Sequence, residues 1–250
     1  MDMPAMLEGR HILVTGAASG IGRAAAHLFA AYGARLMLLD RDEKVREIAD
    51  ALPDADSAVA DITDAAAMAE AITRFPRMDG AFNNAGIEGM DGRMVPIMDY
   101  PDAAFAQVMH VNATGLWQCM KAQIPAIQAN GGGAVVNTAS VMGWLGAAGM
   151  AAYVASKHAV VGLTRAAALD CAPLNIRVNA LLPGAVETPM LTERGFVVNP
   201  GFEQHAAQAH PLGRWAQPTE IAEAAAWLLS SKSSFVTGHA LAVDGGFSAR

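Results

Sequence analysis

The chain has 250 residues, 53% hydrophobic and 16% charged, apolar material enough for the core of one large domain. Its net charge of −7 and the lack of any Lys/Arg cluster exclude a basic nucleic-acid surface, and no apolar run reaches the ~18 residues of a membrane span. Low charge and a mean hydropathy of +0.25 point to surface buried between subunits of a homo-oligomer.

The N-terminal stretch MDMPAMLEGR holds acidic residues and no apolar run long enough for a signal peptide. Aliphatic and β-branched runs predict strands at 12–14, 35–40, 57–60, 80–83, 134–138, 177–182 and 240–243. Alanine-rich stretches between them predict helices at 20–32, 42–51, 65–74, 102–129, 151–172 and 218–230. This alternation specifies an α/β, doubly wound, Rossmann-like parallel sheet of seven strands with helices on both faces, in a single domain spanning 1–250. The first helix carries Ile21, Ala25, Leu28 and Phe29 at helical spacing, with Ser19 as its expected cap.

Two stretches break the alternation, 87–101 and 183–217, the second rich in Gly, Pro and His. Both follow strands, at the carboxyl edge where open sheets bind ligands, so both are expected to be functional, with a substrate loop at about 184–217. Cys119 and Cys171 fall inside helical stretches without ligand spacing, as reduced thiols of a cytoplasmic protein would. His205 and His210 lie in the long loop without the HxxxH or Cys partner of a zinc site, and no metal is expected. His158 follows Lys157 directly and points away from it on a helix, a surface position.

Two motifs carry chemistry. In TGAASGIG, residues 15–22, Gly16, Gly20 and Gly22 stand between the first strand and the first helix, where backbone N–H groups can meet a pyrophosphate. Asp40 ends the second strand, where a carboxylate accepts hydrogen bonds from an adenosine ribose and repels a 2′-phosphate. NAD is thereby favoured over NADP, with neighbouring Arg41 softening the preference; alternatively Asp40 and Arg41 only cap the next helix. Farther on, Tyr153 and Lys157 are spaced four apart, on one helical face. An ammonium beside a phenol can lower its pKa, readying it for proton transfer to match a hydride moving to or from a nicotinamide.

These motifs, with NNAG at 83–86, VNATG at 111–115, NTAS at 137–140, IRVNALLPGAVETPM at 176–190 and VDGGF at 243–247, resemble the classical short-chain dehydrogenase/reductase family. The resemblance covers essentially the whole chain and implies the strand order 3-2-1-4-5-6-7. It implies that Gly16, Ser19, Gly20, Ile21 and Gly22 hold the cofactor phosphates, and that Asp61 and Ile62 lie by the adenine. Asn84, Ala85 and Gly86 would back the nucleotide, while Pro183, Gly184, Val186 and Thr188 meet the nicotinamide end. Tyr153 would be the acid/base, Lys157 its partner and a contact of the nicotinamide ribose, Ser140 the donor to the substrate oxygen. Asn112 would shape the central helix and hold a water on the proton path. Each has a structural explanation as well: core for Tyr153, a solvated face for Lys157, a cap for Ser140, a helix kink for Asn112.

By the same resemblance, the segments after Ser140 and after Pro183 wall the substrate pocket. They offer Met142, Trp144, Leu145, Met150, Met190, Leu191, Phe196 and Trp215, with Ser140, Met142, Tyr153 and Met190 as the expected substrate contacts. That lining suits a hydrophobic, possibly cyclic, secondary alcohol or diol better than a sugar, and the motifs are similar to those of bacterial dehydrogenases of cyclic alcohols and diols. A 3-oxoacyl-thioester reductase shares the catalytic residues, but such reductases use NADPH and an acidic carrier. A catalytically silent nucleotide-binding scaffold or sensor would need none of the four. The family also implies a homotetramer pairing the helices near 102–129 and 151–172.

Overall fold

The computed structural model describes residues 5–249 apart from Pro76 and Pro200 and the side chains of Phe202 and His205. The first four residues of the N-terminal stretch and the side chain of His205, both considered above, lie outside the described residues.

Seven aliphatic strands pair side by side, all in parallel: β1 His11–Thr15, β2 Arg35–Asp40, β3 Ala55–Val59, β4 Gly80–Asn83, β5 Gly133–Thr138, β6 Ile176–Pro183 and β7 Ala240–Val243. Their order, β3-β2-β1-β4-β5-β6-β7, is the expected one. The helices are α1 Gly20–Ala31, α2 Lys44–Asp50, α3 Ala65–Thr73, α4 Asp102–Met109, α5 Leu116–Ala129, α6 Ala151–Cys171, α7 Phe196–Val198, α8 Phe202–Ala209 and α9 Pro218–Leu229.

Because strand side chains alternate between faces, β1 sends Leu13 one way and Ile12 and Val14 the other, and each face builds its own core. Leu13, Met37, Val135 and Val178 pack with Met68, Cys119, Ile127 and Val160 of α3, α5 and α6. Ile12, Val14, Leu38 and Phe82 pack with Ala25 and Phe29 of α1, Val45 of α2 and Ile221 and Ala225 of α9. Both thiols are buried and unpaired, and burial pushes Cys119 up to about 12, so that thiol is inert.

The chain winds outward from β1 to β3, then returns to place β4 on the other side of β1. That reversal opens a crevice above the carboxyl ends of β1 and β4. Thr15 closes its floor, its Oγ1 accepting the N–H groups of Asn84 at 3.0 Å and Ala85 at 3.2 Å. Beneath the site a buried polar network ties the sheet to its helices: Asn83 Nδ2 donates to Gln123 and Asn137, each at 3.0 Å, and Asn137 Nδ2 donates to Thr164 Oγ1 at 3.0 Å. Breaking such a network strands buried polar groups at about 1–3 kcal/mol each, so β4, β5, α5 and α6 hold fixed relative positions.

Three expectations are corrected. The helix expected over 102–129 is interrupted by a π-turn, His110–Gly115, because Asn112 turns its side chain onto the neighbouring chain: its Nδ2 donates to Ile87 O and its Oδ1 accepts from Ile87 N, both at 2.8 Å. The long loop at 183–217 is largely helical, with a π-turn Met190–Gly195 followed by α7 and α8; its segments are too short and mixed for periodicity to reveal. Ser19 adopts an extended N-cap backbone but makes no side-chain cap bond.

Candidate active site

The carboxyl edge of the sheet opens into a cavity of about 800 Å³. Gly16, Ser19, Gly20 and Ile21 line one end, with Asp40, Asp61 and Ile62, and next come Asn84, Ala85 and Gly86. Ser140, Tyr153 and Lys157 share the wall with Met142, Pro183, Gly184, Val186, Thr188 and Met190. One surface thus gathers residues from almost every predicted motif. Gly22 acts behind it, where a Cβ would come within 1.9 Å of Gly16 O; α1 can approach the first turn only because the side chain is absent. Gly16 itself has φ +69°, a left-handed conformation that favours glycine.

This end suits a dinucleotide. With no side-chain cap from Ser19, the first-turn N–H groups of α1 remain available to a phosphate. Asp40 is held by two backbone donors, Ala18 N at 2.9 Å on Oδ2 and Asp42 N at 3.0 Å on Oδ1. It does not cap α2, whose N-cap is Glu43, so the alternative reading of Asp40 fails and each oxygen keeps a lone pair. At Gly86 an added Cβ would sit 3.2 Å from Asn112 Oδ1 and 3.6 Å from Lys157 Nζ, so the bare backbone leaves the approach to the ammonium clear.

The proton-handling end is built from β5 and α6. Tyr153 and Lys157 lie one turn apart on α6, with Lys157 Nζ 5.5 Å from the centroid of the Tyr153 ring. The ammonium donates to Thr138 O, the last residue of β5, at 2.9 Å, and the residue is only 5% exposed. Ser140 caps the short turn Val141–Gly143, its Oγ accepting Met142 N–H at 3.2 Å, and its hydroxyl favours the charged form of the Tyr153 phenol. Asn112 reaches α6 by donating to Ser156 Oγ at 3.0 Å. The structural explanations offered for Ser140 and Asn112 are therefore true as far as they go. Lys157 is different: it is no solvated surface residue.

The expected lowering of the Tyr153 pKa is not produced by the protein's own groups. Burial pushes the phenol up to about 12, the hydrogen bond with Ser140 pulls it down, and the Glu88 carboxylate pushes it up. Burial also brings Lys157 down to about 8. In a water-poor wall desolvation disfavours both charged forms.

The remaining walls are loops. Of the apolar residues proposed for the pocket, Met142, Met150, Met190 and Leu191 line it. Trp144 is exposed, Leu145 is not among the lining residues, and Phe196 and Trp215, which pack against each other at a tilt with ring centroids 5.2 Å apart, do not line the cavity. Four lining or supporting residues escaped the sequence analysis. Asn199 Nδ2 donates to Gly92 O and Gly195 O, both at 2.7 Å, joining the two long loops. His210, noted only for lacking zinc partners, is buried, with Nε2 accepting Ala185 N–H at 3.0 Å and Nδ1 2.6 Å from Ala206 O. Those partners require the proton on Nδ1, and the ring fixes the turn after Pro183. Glu88 and Arg194 form an ion pair at 3.2 Å in the cavity wall. Among the described residues no three His, Cys, Asp or Glu side chains gather as a metal site, and no helix is long and apolar enough to cross a membrane.

Comparison with known proteins agrees with this geometry. A family model described as enoyl-(acyl carrier protein) reductase, within the short-chain dehydrogenase/reductases, matches residues 16–248. The chain is 45% identical to the 2,5-dichloro-2,5-cyclohexadiene-1,4-diol dehydrogenase of Sphingobium indicum, over 97% of this chain and 98% of that one. Among solved structures it superimposes on a levodione reductase with a TM-score of 0.89 at 37% identity, covering 97% and 99% of the two chains. On the aldohexose dehydrogenase of Thermoplasma acidophilum the TM-score is 0.88 at 31% identity, covering 99% and 97%. A doubly wound sheet with its switch-point crevice, a glycine turn opening α1, and Tyr153, Lys157 and Ser140 on one cavity wall belong together for a reason: the chain is a member of the short-chain dehydrogenase/reductase family, an oxidoreductase that works with a nicotinamide cofactor.

Proposed function

We propose that the chain interconverts a hydrophobic, cyclic secondary alcohol or diol and its ketone, with NAD(H) as the cofactor. The observation that carries the reading is that Ser140, Lys157 and the half-buried Tyr153 share one cavity with Val141, Met142, Met150, Met190 and Leu191. When bound, the nicotinamide supplies the hydride acceptor or donor, and the protein must manage the matching proton. Tyr153 takes the hydroxyl proton as the carbonyl forms and returns it on reduction. Ser140 donates to the oxygen on which charge develops. Lys157, fixed by Thr138 O one turn from Tyr153, holds the ribose beside the phenol. Asn112 keeps residues 86–88 and α6 in register through Ile87 and Ser156.

Gly16, Ser19, Gly20, Ile21 and Gly22 receive the phosphates; Asp40 receives the adenosine ribose and disfavours a 2′-phosphate, which makes the cofactor NAD. Asp61 and Ile62 flank the adenine, Asn84, Ala85 and Gly86 back the nucleotide, and Pro183, Gly184, Val186 and Thr188 meet the nicotinamide. Met142 and Met190 contact substrate. The fold alone does not choose the substrate, since an aldohexose dehydrogenase superimposes on it nearly as well. The apolar wall does, because each sugar hydroxyl buried there without a partner costs about 1–3 kcal/mol, and the cyclic diol and dione named for two relatives fit that wall.

Among other readings, an enoyl reductase is disfavoured by the four-residue spacing of Tyr153 and Lys157, which that branch of the family widens. A 3-oxoacyl-thioester reductase is disfavoured by Asp40 and by the acidic chain. A silent scaffold is disfavoured by the cost of keeping Lys157 charged and buried. We place the enzyme in the cytoplasm, where its two unpaired thiols stay reduced, as a homotetramer built on α4, α5 and α6. NADH formation across cyclic alcohols, acyclic alcohols and polyols, with NAD and NADP in parallel, tests the reading. Cyclic secondary alcohols with NAD are expected to give the highest kcat/KM; polyols or NADP giving higher values would overturn it.

A further inference from the structure

Among the apolar residues Val141, Met142, Met150, Met190 and Leu191 of the pocket wall stands a carboxylate. Glu88 follows the NNAGI segment after β4 and lines the same cavity as Tyr153 and Met190. Its side chain is 7% exposed, and neither oxygen accepts an aligned hydrogen bond from another residue. Arg194, from the π-turn of the substrate loop, brings Nε to 3.2 Å of Oε1 while its own side chain stays 44% exposed. The pair does not explain itself as a loop staple, since Asn199 already joins these loops through Gly92 and Gly195. A buried carboxylate with unused lone pairs is costly unless something donates to it.

A hydroxyl is the group that fits. A carboxylate only accepts and a guanidinium only donates, so together they complement an O–H that donates to Glu88 while its oxygen faces Arg194. Glu88 and Tyr153 line the same cavity, where one small molecule can meet both. We propose that Glu88 is a specificity-determining residue that accepts a hydrogen bond from a second hydroxyl of the substrate, so that the enzyme prefers ring diols to ring mono-alcohols. The inference rests on the secondary-alcohol reading above and sharpens it.

The test compares cyclohexanol with the cis and trans isomers of cyclohexane-1,2-diol and cyclohexane-1,4-diol, using wild type, Glu88→Gln and Glu88→Leu. Wild type should show a kcat/KM for at least one diol well above that for cyclohexanol. Glu88→Leu should lower the diol-to-cyclohexanol ratio by about 10–100-fold, chiefly through KM, the size of a lost hydrogen bond to a charged group, and Glu88→Gln, which keeps a neutral acceptor oxygen, should lower it by less. Removing the charge should also move the rising, acid-side limb of the oxidation profile to lower pH on every substrate, because Glu88 raises Tyr153; the other groups facing the phenol, Ser140 and Lys157, are left in place. A Glu88→Leu ratio within twofold of wild type, an equal loss on both substrate classes, or no diol preference in wild type overturns the role of Glu88. Wild type inactive on cyclohexanol and diols alike overturns the secondary-alcohol reading itself.

Discussion

Lys157 shows a stability cost accepted at a functional residue. Its ammonium is buried with one backbone acceptor, and burial alone brings it from 10.5 to about 8. Between those values the unfolded chain holds a proton that the folded chain has shed, so stability rises with pH across that window and the full penalty applies below it. Lys157→Met should therefore melt several degrees higher than wild type at pH 7, about 2–3 kcal/mol after allowing for the lost bond to Thr138 O. The gap should narrow as pH rises from 8 toward 10, below the range in which Tyr153 begins to act in the opposite sense. Calorimetry across that range checks it; a variant melting below wild type at pH 7 would mean that the ammonium stabilises the fold.

At the scale of elements, the π-turn at His110–Gly115 depends on a single side chain. Asn112→Ala leaves Ile87 N–H and C=O without partners and is expected to cost about 2–4 kcal/mol. Asn112→Asp keeps the acceptor for Ile87 N–H but sets a carboxylate against Ile87 O, and should be no more stable than the alanine variant. Denaturant unfolding that ranked Asp well above Ala would show that the amide donor contributes little. The same turn marks the limit of sequence reading. The inner strands β1, β2, β5 and β6 were legible because strands buried on both faces of a parallel sheet read as aliphatic runs, and Tyr153, Lys157, Ser140 and Asp40 because motif and predicted element coincided. The break in the helix over 102–129 follows from a tertiary bond to Ile87, and the Glu88–Arg194 pair joins residues 106 positions apart; neither leaves a periodic trace. Ser19 looked like a cap by residue type, yet the cap bond is absent where the site favours a ligand.

For the whole molecule, apolar side chains stand out on three helices that lie together: Phe105 on α4, Trp117 on α5 and Leu169 on α6, the last 79% exposed. Single exposed apolar residues need no explanation, but a set on contiguous helices fits the proposed tetramer interface. Phe105→Glu combined with Leu169→Glu should shift sedimentation from tetramer toward smaller species; a wild type that sediments as a monomer at every concentration would contradict the assembly. Everything the sheet, the loops and the assembly position converges on the phenol of Tyr153. The most direct measurement is therefore Tyr153→Phe against wild type, with cyclohexanol turnover and NADH binding followed on the same samples. Loss of the acid/base should lower kcat by roughly 10²–10⁴-fold while the dissociation constant for NADH stays within a few-fold; turnover close to wild type would remove Tyr153 from proton transfer and with it the proposed mechanism.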